Sequence, residues 1–131
     1  MWVTTLADSR DNIYLHANPM GQVYAYETLS SLLKDLREVN KNAMRFPLHV
    51  DNRTLTFWCI ARVTLITQKV LEECVDKPDI GLFRLNSKHC FIGCVYGIKV
   101  NDRGKAILRD MHLSRYVEEC EKFEGYKEVV P

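Results

Sequence analysis

Arg53 to Val75, reading RTLTFWCIARVTLITQKVLEECV, is the longest apolar-rich stretch of the chain, and any core must include it. Its first half alternates. Leu55, Phe57, Cys59, Ala61, Val63 and Leu65 fall on one side of a two-residue period. Thr54, Thr56, Trp58, Ile60, Arg62 and Thr64 make up the other, wetter side. From about Thr64 the period changes. Leu65/Ile66, Val70/Leu71 and Cys74/Val75 recur every four to five residues, separated by Gln68/Lys69 and Glu72/Glu73, with Asp76/Lys77 following. That is helical spacing. The stretch predicts a central strand running almost directly into an amphipathic helix. One helix from Asp51 to Lys77 is the competing reading, and seven β-branched residues between Thr54 and Thr67 weigh against it.

Upstream, Trp2 to Leu6, Ile13 to Ala17 and Gln22 to Tyr26 read as strands. Asn18-Pro-Met-Gly21 separates the last two, and proline followed by a glycine able to adopt positive φ predicts a three-residue hairpin loop. That loop sets a register in which Ala17 opposes Val23, His16 opposes Tyr24, Leu15 opposes Ala25 and Tyr14 opposes Tyr26. Ile13, Leu15, Ala17, Val23 and Ala25 then form one face, ready for the Leu29, Leu32, Leu33 and Leu36 stripe of the following helix. Thr28 or Ser30 is placed to cap that helix.

Phe46 to Val50 reads as a short strand that Pro47 assigns to an edge. Gly81 to Leu85 and His89 to Val100 read as a hairpin around Asn86-Ser-Lys88, with Gly93 and Gly97 marking bulges or close approaches. Asn101 to Gly104 reads as a turn, and Ser114 to Glu124 as a last helix. The expected fold is α+β, a mainly antiparallel β-sheet with about three α-helices packed on it, as a single domain over residues 1–131.

Composition excludes more than it assigns. With 18 basic and 17 acidic residues the formal charge is +1, which supplies no broad positive field for nucleic acid. The first residues, MWVTTLADSRD, carry neither a basic segment nor an apolar run, and no uncharged stretch is long enough to cross a membrane as a helix. Five scattered cysteines point to free thiols in a reducing compartment, so a cytoplasmic location is expected.

The reactive residue types form no strong constellation. Cys90 and Cys94 have a zinc-like interval but sit in an expected strand, where their Cα atoms stand roughly 13 Å apart. One tetrahedral ion with bonds of about 2.3 Å cannot take both, so no metal and no cofactor is expected. Two pairs remain as alternative catalytic residues: Cys90 with His89, and His49 with Asp51 two residues along a strand. No phosphate-binding loop, dinucleotide fingerprint, zinc-protease helix or nucleophile elbow occurs. What stands out is aromatic. Tyr14, His16, Tyr24 and Tyr26 share a face, and Trp58 and Arg62 lie on the wetter side of the central strand. Helices covering both faces would simply pack these rings; left uncovered, they would form an exposed platform that suits protein recognition.

The function expected is therefore a small protein-binding module, a regulator or inhibitor acting by occupying another protein, with Tyr14, His16, Tyr24, Tyr26, Trp58 and Arg62 as binding residues. This profile fits phage, viral or plasmid accessory proteins, and self-association into a homo-oligomer is compatible with it. A small Cys/His-dependent enzyme is the alternative, and a nucleic-acid-binding domain the weaker one.

Overall fold

The computed structural model describes residues 1–7, 10, 12–32, 35, 48–50, 53–55, 60–85 and 95–108. Among them are eight strands: β1 (Trp2–Ala7), β2 (Ile13–Ala17), β3 (Val23–Tyr26), β4 (Leu48–Val50), β5 (Arg53–Leu55), β6 (Ile60–Leu65), β7 (Leu82–Leu85) and β8 (Val95–Lys99). Three helical segments accompany them: α1 (29–32, with residue 35 also helical), α2 (Gln68–Cys74) and α3 (102–108). Together they make a mixed α/β fold around a curled sheet. Among the described residues no helix is long and apolar enough to cross a membrane.

The stretch from β5 through α2 has strand before helix, as its change of period predicts, and the single-helix alternative does not occur; the one central strand expected is described as two, β5 paired with β4 and β6 paired with β1. Thr67 ends the strand run and caps α2, its Oγ1 accepting from the Val70 N–H at 3.2 Å. The alternation within β6 fails at its end. Thr64 is fully buried while Leu65 is partly exposed. The neighbouring strand β1 is covered on both sides. Val3, Thr4, Thr5 and Leu6 are buried in succession, so neither face of β1 meets water.

β1 lies at the centre. One of its edges pairs with β6 along the whole strand, from Trp2↔Leu65 to Ala7↔Ile60. The other edge is divided: Trp2 and Val3 pair with Tyr26 and Ala25, while Thr5, Leu6 and Ala7 pair with Leu15, Tyr14 and Ile13. β2 and β3 meet at Ala17↔Val23. The three strands thus pair in a ring, each couple touching at one end, and this splay curls the sheet into a half-barrel. The loop and the Ala17↔Val23 pair agree with the sequence, but the longer register from His16 to Tyr14 is not formed. β1 takes up the edges that Tyr14, Leu15, Ala25 and Tyr26 were expected to offer each other.

Two further pairings correct the expected order. β7 does not form a hairpin with β8; it runs parallel to β3, from Val23↔Leu82 to Tyr26↔Leu85. β8 instead lies between β2 and β4, antiparallel to the first and parallel to the second. The sheet is therefore mixed: six of its eight described pairings are antiparallel, as expected in the main, and two are parallel. β4 is paired on both sides, by β5 and β8, and is not an edge strand. Pro47, the Asn86 to Lys88 turn, Gly93 and the expected Ser114 to Glu124 helix lie outside the described residues.

Asn101 does not open a turn but caps α3. Its Oδ1 accepts from the Gly104 N–H at 2.6 Å, and its carbonyl accepts from the Lys105 N–H at 2.9 Å. Asx chemistry serves a turn and a helix N-terminus alike, which is why the sequence reading missed the helix. Gly104 is required by packing, since a Cβ there would stand 2.8 Å from the Cα of Cys74.

The main aliphatic core joins Val3, Leu15, Ala17, Val23, Ala25 and Ile98 of the sheet to Ile66, Leu71, Cys74, Val75, Ile80, Val100 and Leu108. Each large side chain so buried contributes roughly 1.5–3 kcal/mol. The expected face is correct but its cover is not. α2 and α3 take it, while α1 sits on the opposite face, where the Tyr26 hydroxyl donates to Asp35 Oδ2 at 2.7 Å. Thr28 caps α1, its Oγ1 accepting from the Ser31 N–H at 3.2 Å.

Candidate functional site

The aliphatic face extends beyond its helical cover at one end, and there a cleft opens. Register puts Thr54, His49, Tyr96 and Ala17 in one row across β5, β4, β8 and β2. Ala17 and Ile98 carry the core into the cleft wall, and His49 and Tyr96 form the floor, both half-buried. Their ring centroids are 5.3 Å apart at 37°. His49 Nδ1 lies 3.1 Å from Thr54 Oγ1 on the neighbouring strand, which fixes the ring's orientation. The cavity measures about 540 Å3. Gly97, next to Tyr96 on β8, is closely packed: a Cβ there would stand 3.2 Å from the side chains of Leu48 and Tyr14, which would have to give way.

The opposite wall is the β2–β3 loop, which is braced by one side chain. Asn18 Oδ1 accepts from the N–H groups of Met20 at 3.0 Å and Gln22 at 2.9 Å, and its Nδ2 donates to Gln22 Oε1 at 2.9 Å. The Gly21 N–H donates to the Asn18 carbonyl at 3.0 Å, with Gly21 at φ +84°, in the left-handed region glycine favours. The bracing leaves Met20 projecting, 83% exposed, at the rim. Lys77, just beyond α2, completes the lining. Its Nζ occupies the space that a side chain at position 21 would fill, so Gly21 serves both the turn and the placing of this cation.

The residues expected to bind are distributed differently. Tyr14, His16, Tyr24 and Tyr26 do share a region, and His16 and Tyr24 stack at 4.9 Å. They are 2%, 3%, 8% and 1% exposed, so the open platform expected from the sequence is not there. Leu6 lies opposite Tyr14, Leu85 lies opposite Tyr26, and α1 reaches Tyr26 through Asp35. Burial and the Asp35 carboxylate hold the Tyr26 hydroxyl far above its ordinary range, and burial raises that of Tyr24. These are interior groups. Arg62 sits in β6 opposite Thr5, while Trp58, Asp51, His89 and Cys90 lie outside the described residues.

Of the catalytic alternatives, only His49 is placed, and its described partner is Thr54. Cys74 is a buried free thiol pushed up to about 11 by desolvation and by Glu73, which keeps it protonated and unreactive at neutral pH. No group of three or more potential metal ligands occurs among the described residues. Tyr96, Lys77 and Met20 were not singled out from the sequence. The Asn18-Pro-Met-Gly21 motif was the signal available, since a tight loop projects its middle side chain. No protein-family model matches this chain, no curated protein is similar to it, and no solved structure is similar to its fold.

Proposed function

We propose that this chain is a protein-binding module, a regulator or inhibitor that acts by occupying another protein at the cleft between the β2–β3 loop and the His49–Tyr96 floor. One observation carries the reading: an exposed Met20 on a braced loop overhangs a floor of two stacked rings. Methionine and aromatic side chains are enriched at interface centres, and methionine adapts to the shape it meets. A cleft of about 540 Å3 takes a few side chains of a partner segment. A cytoplasmic setting accords with the free thiol of Cys74. Affinity capture from a cytosolic extract, run with the wild type and with Met20→Asp and Tyr96→Ala, tests this. A partner retained by the wild type and lost from both variants, each of which still unfolds cooperatively on heating, is the expected result. Equal retention by all three proteins removes the cleft from the binding function.

The His49–Thr54 pair favours a second reading, acid–base chemistry at the same cleft. A hydroxyl within hydrogen-bond reach of an imidazole is the minimal arrangement for general-base activation. That reading requires turnover of some substrate by the purified protein, abolished in both His49→Gln and Thr54→Val. Activity that survives either change rules it out.

A further inference from the structure

We infer that the segment seated in this cleft is acidic, an inference that rests on the cleft being the docking site. Among the described residues that line it, Lys77 is the one with a full charge and no lining residue is a carboxylate. Nor does Lys77 make an ion pair among the described residues, where the two pairs are Arg84–Glu27 and Lys105–Asp102. The adjacent carboxylate, Asp76, accepts from Asn101 Nδ2 at 2.8 Å, and Lys77 stands between the cleft and the neighbouring groove that Asp76 lines. The Lys77 ammonium lies over Gly21, beside the loop and at the edge of the cleft.

In one of the two neutral tautomers of His49 the floor supplies a matching donor. With His49 Nδ1 committed to Thr54 Oγ1, Nε2 is the ring nitrogen that meets a ligand. When the Thr54 hydroxyl donates to Nδ1, the neutral ring carries its proton on Nε2, and that N–H donates to a carboxylate. The cleft thus offers a cation on one wall, an imidazole on the floor and apolar surface from Met20, Pro19 and Tyr96 between them. A short run of Asp or Glu interrupted by one aliphatic residue complements all three.

The test is an amide chemical-shift titration of the 15N-labelled full chain with three probes. These are a blocked Asp-Glu-Leu-Asp-Glu pentapeptide, its Asn-Gln-Leu-Asn-Gln counterpart, and inorganic phosphate. The acidic peptide is expected to move the amides of Gly21, Lys77, Tyr96 and Gly97 saturably, and the neutral peptide to leave them unchanged. Lys77→Gln should weaken binding roughly threefold to fivefold, the scale of one exposed charge pair, and Lys69→Gln, on the exposed side of α2, should not. Equal shifts with the neutral peptide overturn the acidic preference while leaving the cleft as a docking site. Cleft amides that respond to neither peptide overturn both. Unchanged affinity in Lys77→Gln, or phosphate alone reproducing the peptide shifts at the same concentration, overturns the assignment of an acidic segment.

Discussion

The fold contains two histidine–tyrosine pairs of nearly the same geometry and opposite surroundings. His16 and Tyr24 stack at 4.9 Å and 50°, and His49 and Tyr96 at 5.3 Å and 37°. The first pair is 3% and 8% exposed; the second is half-buried on a cleft floor. Neither residue type nor ring contact distinguishes them. What differs is the neighbour beyond the rings. Phe83 packs edge-on to Tyr24 at 5.7 Å, closing that side, whereas beyond His49 and Tyr96 stand a braced loop and Lys77 with open volume between. Aromatic pairing of this sort is a packing device in one place and a recognition surface in the other, and cover alone decides which.

The largest expected effect separates the two pairs directly. Tyr24→Ala empties a buried site and should lower unfolding free energy by about 3–5 kcal/mol in urea titrations. Tyr96→Ala, beside open space, should cost less than about 1.5 kcal/mol, because the site lacks a closed cavity to leave behind. Similar losses for the two would break the contrast.

Alkaline unfolding sharpens the interior side. Cys74 has an ordinary value of 9.0 and a folded value of about 11, so its contribution is complete below pH 9. Between those limits the unfolded thiol loses its proton first, and stability falls by roughly 2–3 kcal/mol as pH rises through the window. Cys74→Ala should remove that part of the slope, measured as the difference between wild-type and variant profiles from pH 8 to about pH 11. Parallel profiles would show that the thiol titrates normally in the folded chain. Tyr26 works in the same direction at higher pH, its raised value making stability fall from pH 10 upward.

Tyr26→Phe keeps the ring and removes the O–H that Asp35 accepts, so about 1–3 kcal/mol should be lost at neutral pH. A neutral outcome would mean that water replaces the hydroxyl and that the face is more open than its burial indicates. The smallest effect belongs to the cleft. Gly21→Ala forces an L side chain into φ +84° and displaces Lys77, costing about 1–2 kcal/mol of stability. Partner or peptide affinity should fall with it, whereas Tyr26→Phe should leave affinity untouched. The reverse pattern would transfer recognition to the tyrosine face.

Local signals in the chain were legible because their causes lie within a few residues. Asn18-Pro-Met-Gly21 specifies its loop through a fixed proline φ, an Asx bond and a positive-φ glycine, and the structure contains each hydrogen bond that such a loop needs. The change from two-residue to helical period around Thr64 placed β6 and α2 correctly, and Thr28 capped its helix as its side chain allows. The same local logic misread Asn101, since its Asx bond does not reveal whether the next residues continue as a helix.

By itself, then, the sequence determined the hairpin loop, most strand positions, the strand-to-helix switch and the aliphatic face of β2 and β3. Only the tertiary structure decided that β1 would part those strands, that β7 would run beside β3, and that β8 would sit between β2 and β4. It also decided that Asp35 of α1 would meet Tyr26 while His49 and Tyr96 were left beside a cleft. The division follows from what each choice depends on. Dihedral preferences and side-chain periods act between neighbours in the chain. An open strand edge accepts any partner that also buries its side chains, and that competition is settled among segments far apart in sequence.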